Sequence, residues 1–76
     1  MFEPRTTEEL IAIASAGGGF GIDAGPRSTD ELVRIASAAA RSRARVVFYH
    51  VHARSTEEII RIASAGEGAV SFEDHI

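Results

Sequence analysis

Cysteine, lysine, asparagine, glutamine and tryptophan are all missing from this 76-residue chain. The absence of cysteine excludes disulfides, a thiolate nucleophile and cysteine metal ligands together. The absence of lysine leaves arginine as the basic residue at all eight positions, a bias that GC-rich coding or deliberate design would produce. No apolar run approaches the roughly 20 residues of a membrane span. The opening Met1-Phe2-Glu3-Pro4 has neither the charged nor the apolar region of a signal peptide. The net charge is −3, and its dispersed acids disfavour nucleic acid as a partner. The expectation is a soluble cytoplasmic domain that engages neither membrane nor nucleic acid. A chain this short buries only around 60% of its unfolded surface. Self-association or very regular packing is therefore needed to stabilise it.

What is present is a phrase repeated three times. It reads Arg5-Thr-Thr-Glu-Glu-Leu-Ile-Ala-Ile-Ala-Ser15, Arg27-Ser-Thr-Asp-Glu-Leu-Val-Arg-Ile-Ala-Ser37 and Arg54-Ser-Thr-Glu-Glu-Ile-Ile-Arg-Ile-Ala-Ser64. Each copy is followed by small residues and then a short apolar run. Repeats of this length fold as one supersecondary unit each and bury their apolar faces by stacking. The chain divides into copies at about 5–25, 27–53 and 54–76, all within one domain, 1–76.

Each phrase opens with a helix start. Thr6, Ser28 and Ser55 stand as N-caps, with Glu9, Glu31 and Glu58 three residues on, so each pair forms a capping box. Glu8, Asp30 and Glu57 place negative charge in the first turn, where the helix dipole favours it. Pro4 and Pro26 precede their caps and hold the chain out of the helix. Leu10, Ile13 and Ala14 make an i, i+3, i+4 stripe, repeated by Leu32, Ile35 and Ala36 and by Ile59, Ile62 and Ala63. Ile11, Val33 and Ile60 lie on the flank where neighbouring helices meet. Gly17 and Gly66 are expected to stop their helices in the left-handed conformation. The second helix lacks such a glycine and should continue to about Ser42.

Short strands are expected over about 20–24, 46–52 and 69–73. Alternation puts Phe20, Ile22, Val46, Phe48, Val70 and Phe72 on one face, towards the helices. It puts Gly21, Asp23, Val47, Tyr49, Val51, Ser71 and Glu73 on the other. Strands joined through helices run parallel, and right-handed crossovers put all the helices on one side. The predicted fold is α/β: a two-layer αβαβαβ repeat with three helices packed on one face of a three-stranded parallel sheet, order 1-2-3.

Parallel sheets are normally covered on both faces, and this chain has helices for one. Val47, Tyr49 and Val51 are thus a candidate interaction surface, through which or through a sheet edge the chain would form a homo-oligomer. Ligands in such sheets collect beyond the strand C-termini, where Asp23, Tyr49, His50, His52, Glu73, Asp74 and His75 gather. His50 and His52, read as i, i+2 on one strand, could bind zinc with His75, Asp23 or Asp74 as a third ligand.

Other motifs carry less chemistry. Arg5, Arg27 and Arg54 precede helix N-termini but are expected to pair with carboxylates, since the capping boxes already use the backbone donors an anion would need. Gly17-Gly18-Gly19-Phe20-Gly21 leaves a helix for a strand, the reverse of a phosphate loop, and no Lys-Ser/Thr follows. Arg41, Arg43 and Arg45 complement a helix C-terminus. The repeated Ser15, Ser37 and Ser64 have no repeated histidine or acid beside them, which speaks for packing. The leading expectation is a non-catalytic structural or interaction protein that self-associates, needing no cofactor. The alternative is a metal- or ligand-binding protein, or a small hydrolase, using Asp23, His50, His52 and His75.

Overall fold

The computed structural model describes residues 5–73. Pro4, Asp74 and His75, and with them the proline before the first cap and two candidate metal ligands, lie outside the described residues.

Helix formation begins as the capping boxes dictate. Thr6, Ser28 and Ser55 each accept a hydrogen bond from the backbone N–H three residues on, at 3.1 Å in every copy. Glu9, Glu31 and Glu58 accept in return from the cap's own N–H at 2.8–2.9 Å. The helices that follow are α1 (Thr7–Ser15), α2 (Thr29–Ser42) and α3 (Thr56–Gly66). They alternate with β1 (Phe20–Asp23), β2 (Val46–Tyr49) and β3 (Val70–Glu73). α2 reaches Ser42 as expected, and α1 stops before Gly17, whose φ is +94°.

The sheet is parallel with order β1-β2-β3. Its register aligns Phe20, Val46 and Val70 in one row and Ile22, Phe48 and Phe72 in another. These rows face the helices. Ile22, Val46 and Phe48 are fully or almost fully buried, and Phe20, Val70 and Phe72 pack half-buried against the same core. Leu10, Leu32, Ile35 and Ile62 meet them from the helices with no exposed surface. Burying each such side chain contributes about 1.5–3 kcal/mol, so the stripe-on-sheet contact is what holds the two layers together. The Phe48 and Phe72 rings stack tilted, 6.2 Å apart.

Three expectations need correction. β2 ends at Tyr49 rather than at position 52, because His50 takes a left-handed conformation with φ +64°. The segment from Val46 to Arg54 is one residue longer than its counterpart from Phe20 to Arg27, and His50 takes up the difference. Alternation therefore restarts after His50. Val51 turns into the core at 4% exposure, matching the buried Ala24, and is not on the open face. The turn carbonyls of Ala24 and Val51 accept equivalent bonds from the N–H of Arg27 and Arg54, at 3.1 and 3.0 Å.

The third correction is Gly66. It is the last residue of α3, and the left-handed positions after it are Glu67 (φ +47°) and Gly68 (φ +89°). What requires glycine at 66 is closeness. A Cβ there would lie 2.6 Å from Val70 Cγ2 and 3.0 Å from Cγ1.

Candidate functional site

Arg27 and Arg54 hydrogen-bond to hydroxyl and carbonyl oxygens and not, as expected, to carboxylates. Arg27 donates from Nη1 to Thr7 Oγ1 at 2.7 Å and from Nη2 to the carbonyl of Arg5 at 2.7 Å. One repeat later, Arg54 donates from Nη1 to Thr29 Oγ1, also at 2.7 Å, and from Nη2 to the carbonyls of Ala24 and Arg27. Each threonine passes its own proton forward: Thr7 Oγ1 donates to Glu31 Oε2 and Thr29 Oγ1 to Glu58 Oε2, both at 3.2 Å. The planar guanidinium fork can reach hydroxyl and carbonyl at once, which an ammonium could not do with the same geometry. The result is a ladder in which the second and third capping boxes are each tied to the copy before. Rigid stacking is what this arrangement accomplishes.

The ladder has electrostatic consequences. Glu31 is held below the usual carboxylate range first by the Ser28 backbone N–H and then by the Thr7 hydroxyl. Glu58 is lowered in the same way, by the Ser55 N–H first and with help from the Thr29 hydroxyl. On the outer helix surface, Arg34 pairs with Glu8 at 2.7 Å and Arg61 with Asp30 at 2.9 Å. All four are well exposed, so each pair contributes about 0–1 kcal/mol and serves mainly to fix register.

Exposure sorts each helix into two sides. Thr7, Ile11 and Ala14 in the first copy, and Thr29, Val33 and Ala36 in the second, are buried or half-buried; their counterparts Thr56, Ile60 and Ala63 are exposed. The opposite side behaves in reverse. Glu31, Ile35 and Ala38, and Glu58, Ile62 and Ala65, are buried or half-buried, while Glu9 and Ala16 are exposed and Ile13 is half-buried. At about 100° per residue, each trio spans roughly 60° of the helix, and the two trios lie on opposite sides. One side of every repeat receives the copy before it and the other receives the copy after. Ile60, 56% exposed, is the one large hydrophobic side chain among the described residues left open in this way.

The open sheet face offers less than expected. Val51 has left it, Val47 and Tyr49 are half-buried, and Ser71 is exposed. The Tyr49 ring lies over Gly21, where a Cβ would fall 2.9 Å from Cε2. The missing side chain at Gly21 makes room for the tyrosine, which covers part of the face itself.

At the strand C-termini, His50 and Asp23 come together, with Nδ1 and Oδ1 3.1 Å apart. Asp23 Oδ1 also accepts from the Gly25 N–H at 2.9 Å. The Gly25 bond, followed by the His50 bond, holds the Asp23 carboxyl below its ordinary range. His52 sits in the following turn, exposed and off the strand. The two histidines therefore do not share a strand face, and the geometry proposed for a zinc pair is not formed. Among the described residues no group of three metal-ligating side chains gathers. A His–Asp pair can orient an imidazole for proton transfer, but here it also closes the turn that the extra residue created. A shallow hollow beside it is lined by Gly25, Arg27, His50, Ala53, Arg54 and Glu58, and both of its arginines are already engaged in the ladder. The basic residues Arg43 and Arg45 line another hollow at the opposite edge of the sheet, with Glu67 among them.

Comparison with protein-family models, curated proteins and solved structures returns no match. No helix among the described residues is long and apolar enough to cross a membrane.

Proposed function

We propose that this protein is a non-catalytic structural or interaction protein that works by self-association. The observation that carries this reading is the exposure of Ile60, 56% open where its counterparts Ile11 and Val33 are half-buried. A repeat stack is stabilised by interfaces between copies, and a terminal repeat without a polar outer face invites another unit. Two of the reactive groups expected at the strand ends, Asp23 and His50, bind each other, and the phrase arginines Arg27 and Arg54 bind neighbouring repeats, which supports the same view. These groups are engaged in holding the fold, and their engagement supports the non-catalytic reading. Size-exclusion chromatography with light scattering, from about 1 to 500 µM, is the test. A mass rising above the 8.1 kDa monomer with concentration supports the reading. A constant monomer mass over the whole range contradicts it.

A further inference from the structure

One repeat-to-repeat contact is drawn inside the molecule twice. Between the first and second copies, and again between the second and third, an arginine and a capping glutamate of the later repeat close on a threonine of the earlier one. Beside that polar contact an alanine is buried completely on the earlier helix, Ala14 in one case and Ala36 in the other, and Ala38 is buried completely on the later side of the first interface. The third copy ends in the same receiving surface, Thr56, Ile60 and Ala63, now exposed. Among the described residues Thr56 makes no side-chain hydrogen bond, although its counterparts Thr7 and Thr29 each make two. The first copy begins with the matching surface, Arg5, Glu9, Ile13 and Ala16, at the positions of Arg27, Glu31, Ile35 and Ala38.

We infer that two chains stack head to tail, the first repeat of one seating on the third repeat of another as a fourth repeat would. This rests on the self-association proposed above and names its surface. Thr56 takes the place of Thr7 and Thr29, donating to Glu9 of the second copy. Ile60 and Ala63 are covered by its α1. In the sheet, the register that sets Phe20 beside Val46 beside Val70 continues, with β3 of one chain paired in parallel with β1 of the next. One internal contact is not reproduced. Ala12 stands where Arg34 and Arg61 make their ion pairs, so Glu57 gains no partner and the contact between chains is weaker than the contact within one. A head-to-tail interface leaves both outer ends open after each addition and so builds rings or filaments, not a closed two-fold dimer.

Two variants of the full chain separate the ends. Ala63→Arg places a long side chain on the receiving surface, at the position of the fully buried Ala14 and Ala36. Ala16→Arg does the same on the inserting surface, at the position of Ala38. Both alanines are exposed in the single chain, so both variants should melt within a few degrees of the native protein when dilute, which circular dichroism verifies. Each alone should sediment as a monomer at concentrations where the native chain associates. Mixed in equal amounts, they should form a dimer that grows no further, because Ala16→Arg retains a sound receiving end and Ala63→Arg a sound inserting end. If both variants associate as the native chain does, head-to-tail stacking is wrong while self-association stands, and the Tyr49 face becomes the contact. The inference also falls if their mixture stays monomeric while the native chain associates. A native chain that is monomeric throughout removes the functional reading along with it.

Discussion

Arg54 donates to Thr29 across 2.7 Å, from the start of one repeat to the first helical residue of the one before. The hydroxyl it reaches donates onward to Glu58, the residue that closes Arg54's own capping box. Helix initiation and repeat stacking thus share one side chain, Glu58. Replacing the hydroxyl with a methyl of similar size removes both bonds and leaves a half-buried guanidinium short of a partner. Thr29→Val should cost about 1–2 kcal/mol. Thr56→Val, at the equivalent but open position, should stay within about 0.5 kcal/mol in dilute protein. Urea unfolding of the two variants side by side measures the difference, and equal costs would show that the ladder contributes nothing.

Gly66 allows a prediction whose sign separates two effects. Alanine is favoured over glycine inside a helix by about 1 kcal/mol. Here the added Cβ would lie 2.6, 3.0 and 3.3 Å from Val70 Cγ2, Cγ1 and Cβ. Rotating the valine cannot clear all three, and overpacking costs about 1–3 kcal/mol. Gly66→Ala should therefore lower stability by about 1 kcal/mol net. A raised thermal midpoint would show that β3 shifts away from α3 at little cost.

Acid should unfold the protein through three carboxylates. Asp23, Glu31 and Glu58 all have folded-state pKa values below their ordinary ones, chiefly through backbone N–H bonds. The folded state therefore binds protons more weakly than the unfolded one. The stability this provides is complete above the unfolded values, near pH 4, and is lost as pH falls through the lowered folded values. Thermal midpoints should be level with respect to these groups from about pH 5 to 7 and fall below about pH 4. Asp23→Asn should flatten part of that fall. An unchanged acid profile in this variant would mean that the Asp23 turn forms equally well when protonated.

Zinc should bind weakly or not at all. His50 Nδ1 faces Asp23, and His52 lies beyond the left-handed turn. Calorimetry at pH 7.5 should give the same weak response for the native chain and for the His50→Ala/His52→Ala double variant. Sub-micromolar affinity abolished by the double variant would mean that the turn reorganises around metal.

The helices were legible because their signals are local. Thr6 with Glu9, Ser28 with Glu31 and Ser55 with Glu58 need only a spacing of three, and the structure places all three capping boxes where that spacing puts them. The parallel sheet followed from the helix inside every connection. The flank where repeats meet was legible in Ile11 and Val33, and what local reading missed was the repeats' polar contacts and two turns. Arg27 and Arg54 read as partners for carboxylates because their targets, a threonine and carbonyls of earlier copies, lie 20 to 30 residues back in the sequence. Val51 read as surface because alternation assumes an unbroken strand. The extra residue before Arg54 was visible in the repeat lengths, and counting back from each phrase arginine would have aligned Val51 with Ala24. Gly66 read as a helix stop because the left-handed turn through Glu67 and Gly68, which brings Val70 back against it, is not visible in the spacing.

Self-association stands or falls on whether the open end of the third repeat, with Ile60 exposed, holds a second chain. Sedimentation equilibrium of the full chain should be compared with Ile60→Arg, which alters the exposed end, and with Ser71→Glu, which alters the open sheet face. The native chain and Ser71→Glu should associate in the same concentration range while Ile60→Arg remains monomeric. Native protein that stays monomeric, or Ile60→Arg that associates as strongly as the native chain, would contradict self-association through that end.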